Sequence, residues 1–233
     1  MGEHRPVLDR GEFESMLRAV ERSYWDKHPF HQRMDAGELV PDDVRAWVAN
    51  RWYYQQSLPQ KDAAVVANCP LPEIRRRWLS RIIYHDGTTT GEGGCARWLT
   101  LAEAVGLSRA EVLDERHVLP GVRFAVDSYV TFARTRPWVE GIASSLTEMF
   151  APRAMTTRTA ALRRHYSWIN HEAFGYFDAR IPQALEECAD ALDIVLTHCV
   201  SRDSQDAAVR ALEFKTDVLW SMLDAIEHSR SAR

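Results

Sequence analysis

Five stretches of this sequence place a cation, an imidazole or a phenol where a core-facing helix calls for an apolar side chain. Such a helix repeats apolar residues at i, i+3, i+4 and i+7. Val44, Trp47 and Val48 make that stripe, yet Arg51 and Gln55 continue it. Trp78, Arg81, Ile82 and His85 form a second, and Val122, Ala125, Val126 and Tyr129 a third. Ala173, Tyr176, Phe177 and Arg180 carry a phenol and a guanidinium together, and Ala211, Lys215, Val218, Leu219 and Met222 surround an ammonium with apolar groups.

Taken singly, each exception reads most simply as a long side chain snorkelling from the stripe's edge, or a tyrosine at the rim of the core. Five repetitions point elsewhere. Three arginines, a lysine and a histidine turned inward cannot all be buried unpaired, because isolated buried charge is prohibitively costly. They need a polar cavity, and the excess of cations suggests a small ligand bearing carboxylates, which Arg binds bidentately.

The elements that position these residues are helices, since apolar positions recur mostly at helical rather than strand spacing. The expectation is one all-α domain over residues 1–233, a compact bundle of about seven helices. The first pattern runs through Phe13, Met16, Leu17 and Val20, and Pro29 should end or bend it. Pro41-Asp42-Asp43 opens the next, with proline and two carboxylates suited to a helix N-terminus. A third starts after Pro70-Leu71-Pro72 and ends near Gly87, where Gly87 to Gly94 forms the most flexible-looking loop. Helical spacing resumes around Trp98, Leu101 and Ala102. Further patterns run from Pro120 to about Arg134, Val139 to Phe150, Glu172 to Arg180, Gln183 to Cys199 and Ser204 to Ile226.

Composition bounds the partners. The 233 residues are 45% apolar and 27% charged, with a net charge of -4 and both signs spread along the chain. There is no basic field for nucleic acid or an anionic membrane. Cys69, Cys95, Cys188 and Cys199 form no CxxC pair and read as buried thiols in a reducing compartment. Met1 to Arg10 is polar, and no run approaches a membrane span of roughly 18 apolar residues. A cytoplasmic location is expected.

Other chemistries are less well supported. His85-Asp86 resembles the dipeptide of metal-dependent phosphohydrolases, but further ligands cannot be nominated, so no metal is expected. No Glu-x-x-His pair suggests a di-iron bundle. The glycine-rich loop lacks GxGxxG and GxxxxGK[ST] and reads as a helix cap with a mobile loop. His28 or His31 could ligate a heme, though a histidine beside proline at a helix end is more often structural.

Several blocks carry a family pattern. Trp47-Val48-Ala49-Asn50-Arg51-Trp52-Tyr53-Tyr54-Gln55, Lys61-Asp62-Ala63-Ala64, His85-Asp86-Gly87, Leu119 to Asp127, Ser144-Ser145-Leu146-Thr147-Glu148 and Phe214 to Asp224 closely resemble the pyrroloquinoline quinone synthase family. The resemblance is collinear from about Phe13 to Ala225. It implies a heme-oxygenase-like fold, a homodimer, and ring closure with multi-electron oxidation of a tricarboxylic quinone precursor by molecular oxygen, releasing hydrogen peroxide. No metal or organic cofactor is implied. Arg51, Gln55, Lys61, Arg81 and Arg158 would hold carboxylates and quinone oxygens, with Tyr24 and Thr147 completing the lining. His85 would be a general base. Tyr176 and Arg180 would donate to developing superoxide or peroxide. Lys215 and Tyr129 would support proton transfer and the quinone.

Two positions depart from the pattern. Trp25 stands where the family commonly has a histidine, and Met155 where many members place a histidine beside the oxygen site; methionine cannot pass a proton. Two alternatives therefore stand beside the synthase: an oxidase of another aromatic or aminoquinone natural product, and a carrier of the finished quinone.

Overall fold

The structure, a computed structural model, describes residues 5–231. The outermost residues of the expected 1–233 domain, and the first four of its polar N-terminal stretch, lie outside the described residues. Among these residues there is no strand, and eleven α-helices occur rather than about seven. They are α1 (Arg10–Ala19), α2 (Pro29–Ala36), α3 (Pro41–Asn68), α4 (Pro72–Asp86), α5 (Gly93–Ala104), α6 (Arg109–Leu113), α7 (Pro120–Thr135), α8 (Trp138–Ala143), α9 (Ala151–His165), α10 (Gly175–His198) and α11 (Arg202–Ser231). No helix among the described residues is long and apolar enough to cross a membrane.

The starts follow local chemistry. Asp9 caps α1 by accepting from the Glu12 amide at 2.8 Å, while Glu12 reaches back to the Asp9 amide at 3.0 Å. Proline opens α2, α3, α4 and α7, where its missing N–H costs nothing. Pro29 was expected to end or bend the first helix, but it begins α2, because α1 has already given way to 3₁₀ turns at Val20–Ser23 and Trp25–Lys27. Gly37 ends α2 with φ of 78°, and a Cβ there would lie 2.6 Å from the His165 ring.

Three expected boundaries also move. The stretch from Val139 to Phe150 divides into α8 and a 3₁₀ segment, Ser144–Met149. Conversely, the separate patterns ending at Arg180 and starting at Gln183 are one helix, α10, which runs through Pro182. Helix α9 has no counterpart among the expected patterns: its buried face sets Arg158 and Thr159 between Ala154 and Met155 on one side and Ala161 and Leu162 on the other, so no continuous apolar stripe marks it.

Helix α3 is the central strut, packed on α4, α5, α7, α8 and α11. Trp47 from α3 meets Trp98 from α5 edge-on at 5.4 Å and lies parallel to Phe177 from α10. Pro59 sits inside α3 and removes the amide that would have bonded the Gln55 carbonyl. The Cys95 thiol, 3.7 Å away, donates to that carbonyl instead. All four cysteines are free.

Candidate functional site

The helices line a chamber of about 580 Å³. Helix α3 supplies Arg51, Tyr54, Gln55, Leu58 and Lys61, which one face of a helix can present together. Arg81 comes from α4, Tyr129 from α7, Thr147 and Glu148 from the 3₁₀ segment, Met155 and Arg158 from α9, Tyr176 and Arg180 from α10, and Lys215 from α11. Tyr24 and Trp25 close one wall. Arg51, Gln55, Lys61, Arg81, Arg158, Tyr24, Thr147, Tyr129, Tyr176, Arg180 and Lys215 are thus brought together. His85 is not: it is buried, but outside the lining.

One wall is a network of paired charge. Arg81 makes a bidentate contact with Glu148, at 2.6 and 3.0 Å, and a third bond to Glu187 at 2.7 Å. Arg180 shares both carboxylates, at 2.7 Å to Glu148 and 2.9 Å to Glu187. Lys61 donates to Asp62 at 2.5 Å and to Ser145 at 2.8 Å, and the Trp78 indole donates to Asp62 at 2.8 Å. Burial alone would raise Glu148, yet Arg81 and Arg180 hold it well below the usual carboxylate range. Burial and then the charge of Glu148 push Glu187 up. Asp62 is likewise held down by Lys61 and Arg81 against the effect of burial.

The excess of cations expected from the stripes is therefore corrected for Arg81 and Arg180, which already have carboxylate partners. The signals were available. Glu187 follows Arg180 by seven residues on the same face of α10, and Asp62 follows Lys61 directly. Glu148 is harder to read, since a 3₁₀ segment does not keep the 3.6-residue period.

The opposite wall has no carboxylate partner. Arg51 Nε and Nη1 are buried without a hydrogen bond, as are both amide atoms of Gln55 and Arg158 Nε. Aromatic rings surround these guanidiniums. Arg51 lies 4.6 Å from the Trp25 centroid, 5.0 Å from Tyr54 and 5.6 Å from Trp98. Arg158 lies 5.5 Å from Trp25 and 5.8 Å from Trp47. Burial and the charge of Arg51 lower Arg158 to about 10.

Lys215 donates to the Tyr54 hydroxyl at 2.7 Å and stands 3.5 Å from the Tyr129 centroid. Burial, then Lys61 and Arg51, push its ammonium well below the ordinary lysine range. Tyr54, unforeseen as a site residue, continues the Trp47, Arg51 stripe. Trp25 and Met155, singled out only as departures, both line the chamber.

Burial, then Arg180, lowers His85 to about 3, so its imidazole is neutral at ordinary pH and a weak base. His28 is a helix cap: its Nδ1 accepts from the Phe30 amide at 3.0 Å, and its Nε2 lies 3.1 Å from Asp224. Among the described residues, no group of three or more His, Cys, Asp or Glu is placed to hold a metal ion.

A pyrroloquinoline-quinone synthase of Pseudomonas aeruginosa (strain PAO1) is 50% identical over 222 residues, covering 95% of this chain and 89% of its own. One from Rhizobium rhizogenes is 51% identical over 224 residues, covering 96% and 91%. Solved structures share the fold: a domain from Shewanella denitrificans described as heme oxygenase-like superposes with a TM-score of 0.78 at 15% identity, over 97% of this chain and 94% of that one. A TenA homolog from Pseudomonas syringae gives 0.72 at 14% identity, over 98% and 99%. Residues 14–225 match the TENA/THI-4/PQQC family, and the chain belongs to that family.

Proposed function

We propose that this chain is an oxidase of the pyrroloquinoline-quinone synthase type, closing the ring of a tricarboxylic quinone precursor and oxidising it with molecular oxygen, with release of hydrogen peroxide and without metal or organic cofactor. The observation that carries this reading is the wall of unpaired donors: Arg51, Gln55 and Arg158 offer buried N–H groups with no protein partner, which the carboxylates of an oxygen-rich anion would satisfy. Synthases at about half identity over nearly the whole chain supply the reaction class.

The direct grip on carboxylates falls to Arg51, Arg158 and Gln55. Lys61 and Arg81 keep their carboxylate partners and fix the opposite wall. Arg180 donates through Nη2 to Glu148 but leaves Nη1 free as a donor to reduced oxygen, beside the Tyr176 hydroxyl. Lys215, held toward its neutral form, exchanges a proton with the quinone or with Tyr54. The neutral His85 keeps a lone pair for the general-base role, and burial makes it a weak base until a bound anion offsets the charge of Arg180 beside it.

Purified protein incubated with the precursor should form the coloured quinone in air, with oxygen uptake and peroxide release, and none under anaerobic conditions. No turnover beside an active family enzyme would overturn the reading, and stoichiometric metal or heme in the pure protein would overturn its cofactor-free form. Trp25 and Met155 in the lining favour one second reading, an oxidase of another aromatic or aminoquinone compound, which oxygen uptake with such heterocycles would separate. A cytoplasmic homodimer completes the proposal, and analytical ultracentrifugation tests the dimer.

A further inference from the structure

His31 is fully buried on α2 and belongs to none of the roles above. Its Nδ1 lies 2.9 Å from the Trp25 carbonyl oxygen and 3.1 Å from Arg158 Nη2. One ring nitrogen cannot serve both. It must donate to a carbonyl and accept from a guanidinium, and these require opposite tautomers.

The surroundings decide between them. The Trp25 carbonyl already accepts from the His28 amide at 3.0 Å, so it is not orphaned if His31 turns to Arg158. The bond from Arg158 is charge-assisted and about twice as strong as a neutral one. Burial and the nearby Arg158 charge keep the imidazole neutral, so a lone pair is available. Nε2 has no partner and carries the proton among aromatic rings, with Phe30 and Trp47 nearby. Arg158 itself makes no ion pair within 4 Å among the described residues, and its Nε is unsatisfied. His31 Nδ1 is therefore the polar contact that orients its guanidinium.

We propose that His31 is a positioning residue for Arg158: with Nδ1 unprotonated it holds the guanidinium before a ligand binds, and when an anionic ligand draws Arg158 away the ring takes the other tautomer and donates to the Trp25 carbonyl. The tautomer of a buried histidine then reports whether Arg158 is engaged. The second half rests on the chamber being an anion site, as proposed above; the first half does not.

Nitrogen-15 NMR of histidine-labelled protein, with His31→Asn to assign the signal, reads the tautomer directly. The expected result is an unprotonated Nδ1 in the empty protein and a protonated Nδ1 at saturating pyrroloquinoline quinone. A protonated Nδ1 in the empty protein overturns the proposal, and so does an unchanged ring at saturation. Variants give a second readout by calorimetric titration with the same quinone. His31→Asn can keep an acceptor at the Nδ1 position and stays within about threefold of the original Kd, whereas His31→Leu removes a bond that only the ligand-free protein makes and tightens binding severalfold. Equal changes in both variants would mean that His31 only fills space. If the unsubstituted protein fails to bind the quinone, the proposed function falls, and the tautomer in the empty protein alone decides for or against His31.

Discussion

The two walls of the chamber bury cations by opposite means. On one, Arg81, Arg180 and Lys61 are answered by Glu148, Glu187 and Asp62. On the other, Arg51 and Arg158 are answered by the rings of Trp25, Trp47, Tyr54 and Trp98. A carboxylate neutralises a guanidinium and occupies the donors that face it. A ring face attracts it by about 0.5–2 kcal/mol and leaves the N–H groups unoccupied. Paired charge builds a fixed wall, and ring-supported charge stays available to a ligand.

The largest effect should come from breaking the paired wall. Arg81→Leu would leave three buried carboxylates, Glu148, Glu187 and Asp62, with only Arg180 and Lys61 to answer them, and chemical denaturation should show a loss of about 3–5 kcal/mol. Arg51→Met tests the other wall. It should leave the melting temperature unchanged or raised, while calorimetry shows quinone affinity falling by about 2–3 kcal/mol, the worth of lost charge-assisted bonds. If Arg51→Met unfolds the protein as Arg81→Leu does, the contrast between the walls is wrong.

Acid sharpens the comparison, because His85 lies beside the paired wall. Its folded pKa, about 3, is below the ordinary 6.5, so the unfolded chain binds the extra proton first. Its contribution is intact above pH 6.5 and is lost as pH falls toward 3, with a limiting slope of about 1.4 kcal/mol per pH unit. The difference in unfolding free energy between the protein and His85→Gln, followed over that window, isolates this term. The smallest effect is within the paired wall: Glu187→Gln should cost about 1 kcal/mol in a denaturation assay, since burial and Glu148 already favour its proton-bearing form, while Glu148→Gln should cost distinctly more.

Much of this chamber was legible in the residues. Arg51, Gln55, Arg81, Tyr129, Tyr176, Arg180 and Lys215 break apolar stripes at helical spacing, and helical spacing is what regular helices obey. Arg158 came only through family resemblance, because α9 shows no continuous stripe. Helix α10 read as two pieces because Pro182 removes one backbone bond, although packing on both sides carries the helix through it. The stripes also give the direction of a side chain but not its partner. That is why the inward turn of Arg81 was visible while its pairing with Glu148, on a 3₁₀ segment, and with Glu187, on another helix, was not.

The burial of the chamber has a kinetic side. Gln55, Lys61, Arg158, Tyr176 and Lys215 line it, each no more than 3% exposed, so a fused-ring tricarboxylate has no open path to these donors. Entry therefore waits on helices parting, and the association rate should level off at high quinone concentration, where opening rather than encounter sets the pace.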